Sequence, residues 1–360
     1  MLIRAGHITA FYLFDVADEV DLAAVPRLLE AQAVPARLVP KPQTPASVQY
    51  QQPPLVIDGE ALGLPALRGC RQRFKVFDYG VISLALTLPV TGTWADLQNA
   101  TQKIVGLDDQ AQEWGRQIFE KLRPCLVRSH PPSLTEDYLV YAITELDEPL
   151  TADRLIAEHG ETIVALLRGE APGTLSAQER DEVLRHRISY LVDDLVVPTW
   201  NAAFVYDTEA GTQAALEIFE FANSQLLEFR YYDDLLASEL ERIYDELQKP
   251  RWHNALGPRY VRAAQRLHAL FIDVNELTDK TENALKMVGD VYAARLYALA
   301  AARLGLDRWK GNVEEKLDTL DDIYRFTVDQ TQMSRGHLLE LIVILILVVE
   351  LALVFMGIMK

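Results

Sequence analysis

Leu338–Met359 reads LLELIVILILVVELALVFMGIM, and only Lys360 follows it. Apart from Glu340 and Glu350, every residue of this run is apolar or glycine. As a helix it would rise roughly 33 Å at ~1.5 Å per residue, enough to cross a hydrocarbon core of ~30 Å. A core helix of a soluble domain is rarely apolar all round for so long. The spacing predicts a single C-terminal membrane anchor over 337–360, with the lipid bilayer contacted through Leu338–Met359. Glu340 lies in the first turn, within reach of the interface. Glu350 falls near mid-bilayer, where a carboxylate costs on the order of 3 kcal/mol. One reading is a protonated Glu350 hydrogen-bonding to a partner helix in an oligomer. The others are a proton- or ion-handling position and a poorly paired carboxyl.

Working back from the anchor, residues 208–336 read as long helices. Leu216, Phe219, Ala222, Leu226, Phe229, Leu236, Leu240, Ile243 and Leu247 recur at helical spacing. Lys249-Pro250 breaks that run and Gly257-Pro258 precedes the next, which is expected over about 259–304 and ends at Gly305. A third stripe through Val313, Leu317, Leu320, Tyr324, Thr327, Thr331, Ser334 and Leu338 leads into the anchor. These helices predict an antiparallel bundle or coiled-coil stalk, which would make the protein a homo-oligomer through stalk and span. The alternative is stripes that pack only within one chain.

Residues 1–150 mix the two periodicities. Strands are expected at His7–Phe14, Leu55–Ile57 and Asp137–Glu145, with a long strand or hairpin over Arg73–Val90 bending at Gly80. Helices are expected at Val20–Gln32, at Trp94–Val105 capped by Thr93, and at Gln110–Leu122. The order suggests an α+β head, ferredoxin-like with an added helix. Residues 151–207 read as a connecting region: helices at Ala152–Arg168 and Ser176–Arg187, then a β-like stretch over Ile188–Tyr206. Ser176-Ala-Gln-Glu179 has the form of a capping box.

Charge narrows the function. The net charge is −17, yet residues 1–130 hold 13 basic and 13 acidic side chains, so the excess lies wholly beyond them. An acidic helical half is a poor binder of nucleic acid or anionic lipid, and no direct nucleic-acid contact is expected. Cys70 and Cys125 form no disulfide framework and no metal spacing, which fits a reducing compartment. The N-terminus has neither a secretory nor a transit pattern. The bulk of the chain is therefore placed in the cytoplasm, single-pass at its C-terminus.

Phosphate-loop, dinucleotide, zinc-protease, serine-elbow and EF-hand motifs are all missing, so no catalytic residue, cofactor or metal is expected. The acidic pairs Asp193/Asp194, Asp233/Asp234 and Asp321/Asp322 point about 100° apart on a helix and read as solvated. His159 and His186 lack a second ligand at helical spacing. Arg68, Arg71, Arg73 and Lys75 form a candidate docking patch, with Arg116, Lys121, Arg123 and Arg128 as a second basic group. The competing reading is a scattered, solvated surface.

Asn312–Tyr324 running into Leu339–Glu350, and Phe77-Asp-Tyr-Gly80-Val81 near the head, resemble the required-for-meiotic-nuclear-division (YagE-like) family. Members similarly carry a helical stalk, a Leu-Glu pair opening the span and a second Glu about ten residues later, matched here by Glu340 and Glu350. The resemblance implies a membrane-anchored protein facing the cytoplasm at a bacterial inner membrane, or the matrix at a mitochondrial one. The mitochondrial members look like tethers supporting translation, which makes a ribosomal or other cytosolic partner an expectation. The function expected is a non-enzymatic, oligomeric scaffold or tether. The alternative is a ligand-sensing or enzymatic head that signals through the stalk.

Overall fold

Ile3–Asp15 (β1) is the strand on which the head is built. In the computed structural model of the protein it pairs antiparallel with Val81–Gly92 (β6) on one side and Thr135–Leu146 (β8) on the other. The structure describes residues 1–29, 34–35, 53–62, 69–248 and 291–323, with scattered helical positions at 269, 271–272, 274–275, 325 and 343–344. Successive side chains of β1 alternate between faces. Ile8, Ala10, Tyr12 and Phe14 point to one face, Thr9, Phe11, Leu13 and Asp15 to the other, and all are buried. A strand buried on both faces belongs to a sheet covered on both sides.

The sheet has eight strands. Glu19–Val20 (β2) lies apart from it and pairs with Leu126–Val127 (β7). Val34–Pro35 (β3), Leu55–Asp58 (β4), Arg71–Val76 (β5), β6, β1, β8, Ala202–Tyr206 (β10) and Leu195–Pro198 (β9) follow one another across it. Because β6 and β8 are both antiparallel to β1, they run parallel to each other with β1 between them, a split β-α-β unit. β10 lies parallel beside β8, and β9 closes the edge antiparallel. Residues 151–207, expected as a connecting region, are therefore built into the head's own sheet. The sheet extends beyond the four strands of a ferredoxin-like unit in both directions.

Local chemistry explains the connections. Arg73–Val90 is a hairpin: Gly80, at φ +94°, turns the chain between β5 and β6, and a side chain there would run into the Ala17 carbonyl. Trp94–Val105 (α2) starts at a reciprocal capping box between Thr93 and Asp96. Asp108–Leu122 (α3) follows it, and Gly115 lets α3 sit directly on the Phe14 ring. Ala152–Arg168 (α4) ends at left-handed Gly169. Ala177–Arg185 (α5) begins at Ser176, whose hydroxyl accepts from the Glu179 N–H. The expected return bond from Glu179 is replaced by an ion pair with Arg168 at 2.6 Å, a stronger partner for a carboxylate than a neutral amide. Val20–Gln32 was expected as a helix; the described helix is Val25–Leu29 (α1), because Val20 is drawn into β2 and Asp21 accepts from Ala23 and Ala24 to turn the chain first.

Helices α2, α3 and α4 bury the Ile8–Phe14 face of the sheet under an apolar core that includes Leu97, Ile104, Trp114, Ile118, Leu155 and Ile163. The other face is covered by Glu209–Gln248 (α6). Phe219 of α6 stacks on Tyr138 of β8 at 5.5 Å, and Phe221 meets Tyr297 of Val291–Leu304 (α7) at 5.8 Å.

By contact density the chain divides into two units. One comprises Met1–Tyr231 and Asp279–Trp309, the other Tyr232–Thr278 and Lys310–Lys360. In the second, Leu236, Ile243, Val274, Val313, Leu317 and Leu320 are buried, and Lys316 binds the Asp233 carboxylate at 2.7 Å. Gly305, at φ +72°, separates α7 from a helix over 306–323, near the expected start at Asp307. Among the described residues no helix is long and apolar enough to cross a membrane. The anchor expected over 337–360 lies outside them except for Val343 and Ile344, which are helical and exposed. Glu340, Glu350, the break at Lys249-Pro250 and the run from 326 to 336 also lie outside.

Candidate functional site: a charged layer beneath the long helix

The two faces of the sheet differ in chemistry. The face under α2, α3 and α4 is apolar apart from Gln72, whereas Thr9, Asp15, Lys75 and Ser83 are buried on the face under α6. From α6 itself Glu217, Glu220, Asn223, Ser224, Gln225 and Glu228 are buried as well. Pairing places Lys75 opposite Ser83, and Ser83 opposite Leu13, so these side chains share one face. Glu217 and Glu220, three residues apart on a helix, share one face of α6.

These two patterns meet at Lys75. Its ammonium, 0% exposed, donates to Glu217 Oε2 at 2.5 Å and to Glu220 Oε2. Arg73 adds its guanidinium at 3.9 Å from Glu217 and 3.7 Å from Glu220. Gln213, one turn back, donates to Glu217 Oε1 at 3.2 Å. Burial pushes the Glu217 carboxyl up, but the charges of Lys75 and Arg73 and the bonds from Lys75 and Gln213 outweigh it and hold the group below its ordinary range. Two cations face two carboxylates, so the cluster is neutral within itself. Three residues beyond β5, Tyr79 meets Ser224 at 2.7 Å. Ser224 gives its proton to the Phe221 carbonyl, so the Tyr79 hydroxyl is the donor.

A second group lies where β1 ends. Asp15 is buried and its Oδ1 lies 3.4 Å from His130 Nε2. Neither carboxyl oxygen, nor that nitrogen, completes a well-formed hydrogen bond. The His130 ring stacks on Tyr231 of α6 at 4.6 Å and 10°. Arg128 pairs with Asp18 from a backbone at φ +52°, the one non-glycine positive φ among the described residues.

The expected docking patch is thus redistributed. Arg71 is exposed, Arg73 is mostly buried, Lys75 is interior, and Arg68 lies outside the described residues. Alternation on β5 correctly groups Arg71, Arg73 and Lys75 on one face, but that face is covered by α6. The second basic group is tied up locally: Arg116 to Glu113 at 2.8 Å, Arg123 to Glu120 at 3.4 Å, Lys121 to the Leu62 carbonyl, and Arg128 to Asp18. His159 stacks on Trp94 at 4.8 Å, and His186 lies 3.1 Å from the Glu182 carbonyl. Asp194 is buried and accepts from the Tyr190 and Leu191 N–H groups, both at 2.7 Å. Among the described residues no group of three His, Cys, Asp or Glu side chains could hold a metal ion. The carboxylates Glu217, Glu220 and Glu228 were missed from sequence. Their signal is an acidic residue inside an apolar helix with no Lys or Arg three or four positions away, so the partner must come from another element.

The strands that carry this layer are the ones a known family shares. Residues 5–213 match the family described as "Uncharacterized protein MJ0711, N-terminal domain", which is more than half of the chain. The chain belongs to the MJ0711 N-terminal domain family. The match runs from β1 through β10 into the first residues of α6, so it includes Asp15, Lys75 and His130 and stops short of Glu217. Uncharacterized protein MJ0711 of Methanocaldococcus jannaschii is 25% identical over 241 residues, covering 67% of this chain and 72% of the relative. No solved structure matches. In this MJ0711-family chain the matched region supplies the sheet half of the charged layer, and residues beyond the match supply the helix half.

Proposed function

We propose that this protein is a non-enzymatic, membrane-anchored scaffold or tether whose α+β head is fastened to a long helix and held at the bilayer by 338–359. One observation carries the reading: the strongest concentration of charge in the head, Lys75 with Arg73, Glu217 and Glu220, is spent on clamping α6 to the sheet. Two cations matched by two carboxylates, buried except for part of Arg73, favour a structural use of these charges. The apolar composition of Leu338–Met359 and the stalk-and-span resemblance to the YagE-like family support the anchor. The helix stripes support an oligomer, with Glu350 hydrogen-bonding between spans. The exposed apolar turn Tyr190-Leu191-Val192 is held in shape by the two N–H bonds to Asp194 described above and by the Tyr292 ring 5.5 Å from Tyr190.

The test compares detergent-solubilised full-length protein with a version ending at Ser334 and with Glu350→Leu, by sedimentation. Full-length protein is expected to be oligomeric and to stay in membranes through an alkaline carbonate wash, with the truncation released and dissociated. A full-length protein that leaves the membrane in carbonate would overturn the anchor. Monomers throughout would overturn the oligomer and the pairing role of Glu350.

A further inference from the structure

Asp15 lies in the interior with neither oxygen in a well-formed hydrogen bond, beside a histidine nitrogen that also lacks one. An ionised carboxylate in that position carries a desolvation cost that the nearby Ala17 amide offsets only in part. One proton placed between the two groups removes it: a neutral carboxylic acid can donate to a neutral imidazole nitrogen 3.4 Å away. The segment carrying His130 is strapped to the end of β1. The His130 N–H donates to the Val16 carbonyl at 3.0 Å, the Asp18 N–H to the Val127 carbonyl at 3.3 Å, and Arg128 pairs with Asp18. The other face of the imidazole carries the Tyr231 ring of α6.

We propose that Asp15 and His130 form a proton-operated latch, which holds the Tyr231 turn of α6 against the head while the pair shares one proton and loosens it when that proton is lost. The groups that face the latch come from every element around it. Asp18 follows β1, Arg128 shares the segment of His130, and Glu228 and Tyr231 come from α6. Asp15 and His130 are pushed in opposite directions. Burial, then the charge of Asp18, raises the Asp15 carboxyl to about 8 against a pull from the Ala17 amide. Burial lowers His130, against the charge of Asp18 and a hydrogen bond to the Pro131 backbone. Near neutral pH this leaves a protonated acid beside a neutral ring. Burial, then the charges of Asp15, Asp18 and Glu228, pushes the Tyr231 phenol up against the pull of Arg128, so Tyr231 remains a neutral stacking partner throughout.

The sign follows from linkage. The closed state binds the Asp15 proton more tightly than an open state in which the carboxyl meets water. Raising the pH from the ordinary carboxylate range towards 8 therefore favours opening by about tenfold per pH unit, and the effect levels off above that.

The test is amide hydrogen exchange on the full-length protein in detergent, corrected for the intrinsic pH dependence, at pH 6, 7, 8 and 9. Peptides covering 127–131 and 226–234 are expected to lose protection by about tenfold per unit up to pH 8, while those covering 213–221 do not change. Asp15→Asn, which keeps the shape and cannot ionise, is expected to abolish the dependence. If that variant fails to fold, Asp18→Asn serves. It removes a neighbouring charge at a more exposed site and is expected to move the wild-type transition to lower pH. Flat protection in the wild type, an unchanged pH dependence in folded Asp15→Asn, or an unmoved midpoint in Asp18→Asn would each overturn the latch.

Discussion

Lys75→Met is the substitution that bears hardest on the clamp. Methionine fills nearly the volume of the lysine stem, so the change removes the ammonium and little packing. What remains is Glu217 and Glu220, the second fully buried, with Arg73 at 3.7 to 3.9 Å as the nearest cation. Removing one member of a buried ion pair costs about 3–5 kcal/mol, because the other member stays in the interior without its counter-charge. For a domain of this size each kcal/mol moves the melting midpoint by about 2–4 °C, so the variant should melt roughly 6–20 °C lower. Urea unfolding of full-length protein in detergent, followed by the fluorescence of Trp94 and Trp114, reads the loss. The deficit should shrink as the pH falls, since an orphaned glutamate can then take up a proton. Lys75→Met with Glu220→Gln should recover at least half of it, leaving Glu217 with Arg73. Arg71→Met, at an exposed position on the same strand, should change stability by less than about 0.5 kcal/mol. A Lys75→Met protein within about 1 kcal/mol of wild type, or a double variant no better than the single one, would refute the clamp.

Three further outcomes follow from the same structure. The carboxyl of Glu217 lies below its ordinary range in the folded state, so its stabilisation is present above the unfolded value and is lost as the pH falls through the folded one. Glu217→Gln should flatten the decline in urea midpoint between about pH 5 and pH 3. Gly80→Ala, at φ +94° and against the Ala17 carbonyl, should cost on the order of 3 kcal/mol in a thermal melt, because an L-residue is strained there and the neighbouring backbone has to move. Thr93→Ala removes one half of the capping box of α2 and should cost about 1 kcal/mol by urea unfolding, with the loss restored by Thr93→Ser.

What could be read from the sequence was local. The bend at Gly80, the capped start of α2 and the bounds of α4 all depend on residues within a few positions of one another, and the structure has them where the pattern puts them, whereas β1, expected over His7–Phe14, runs from Ile3 to Asp15. The stripe from Leu216 to Leu247 likewise becomes α6. The misreadings share a cause, which is that the deciding partner is far along the chain. Ile188–Tyr206 looked β-like, but that β10 would lie parallel beside β8 depends on a crossover through α4 and α5 that no short window records. Glu179 has the spacing of a reciprocal cap and is taken by Arg168, eleven positions earlier. Lys75 has the alternation of a surface patch, and its partners are 142 and 145 residues away.

The placement of the charges also explains how α6 finds one position on the sheet. Phe219, Ala222, Leu226 and Phe229 form an apolar stripe that could slide by a helical turn, ~5.4 Å, and still meet apolar side chains. Three polar contacts remove that freedom: Lys75 with Glu217 and Glu220, Tyr79 with Ser224, and His130 with Tyr231. They span 11 to 14 residues of α6, roughly 17–21 Å of its length. A slip of one turn would put Glu220 where Glu217 sits and Asn223 or Ser224 where Glu220 sits, so the Lys75 ammonium would keep one carboxylate of its two, while Ser224 would leave Tyr79 and Tyr231 would leave His130. Losing half of the Lys75 pairing and both other contacts at once disfavours the shifted position. The polar layer therefore selects the register of the helix, while the apolar stripe supplies most of its attraction to the sheet. Of the three contacts only the one at His130 depends on a proton that can be lost near neutral pH, so only the Tyr231 end of the seated helix is open to regulation.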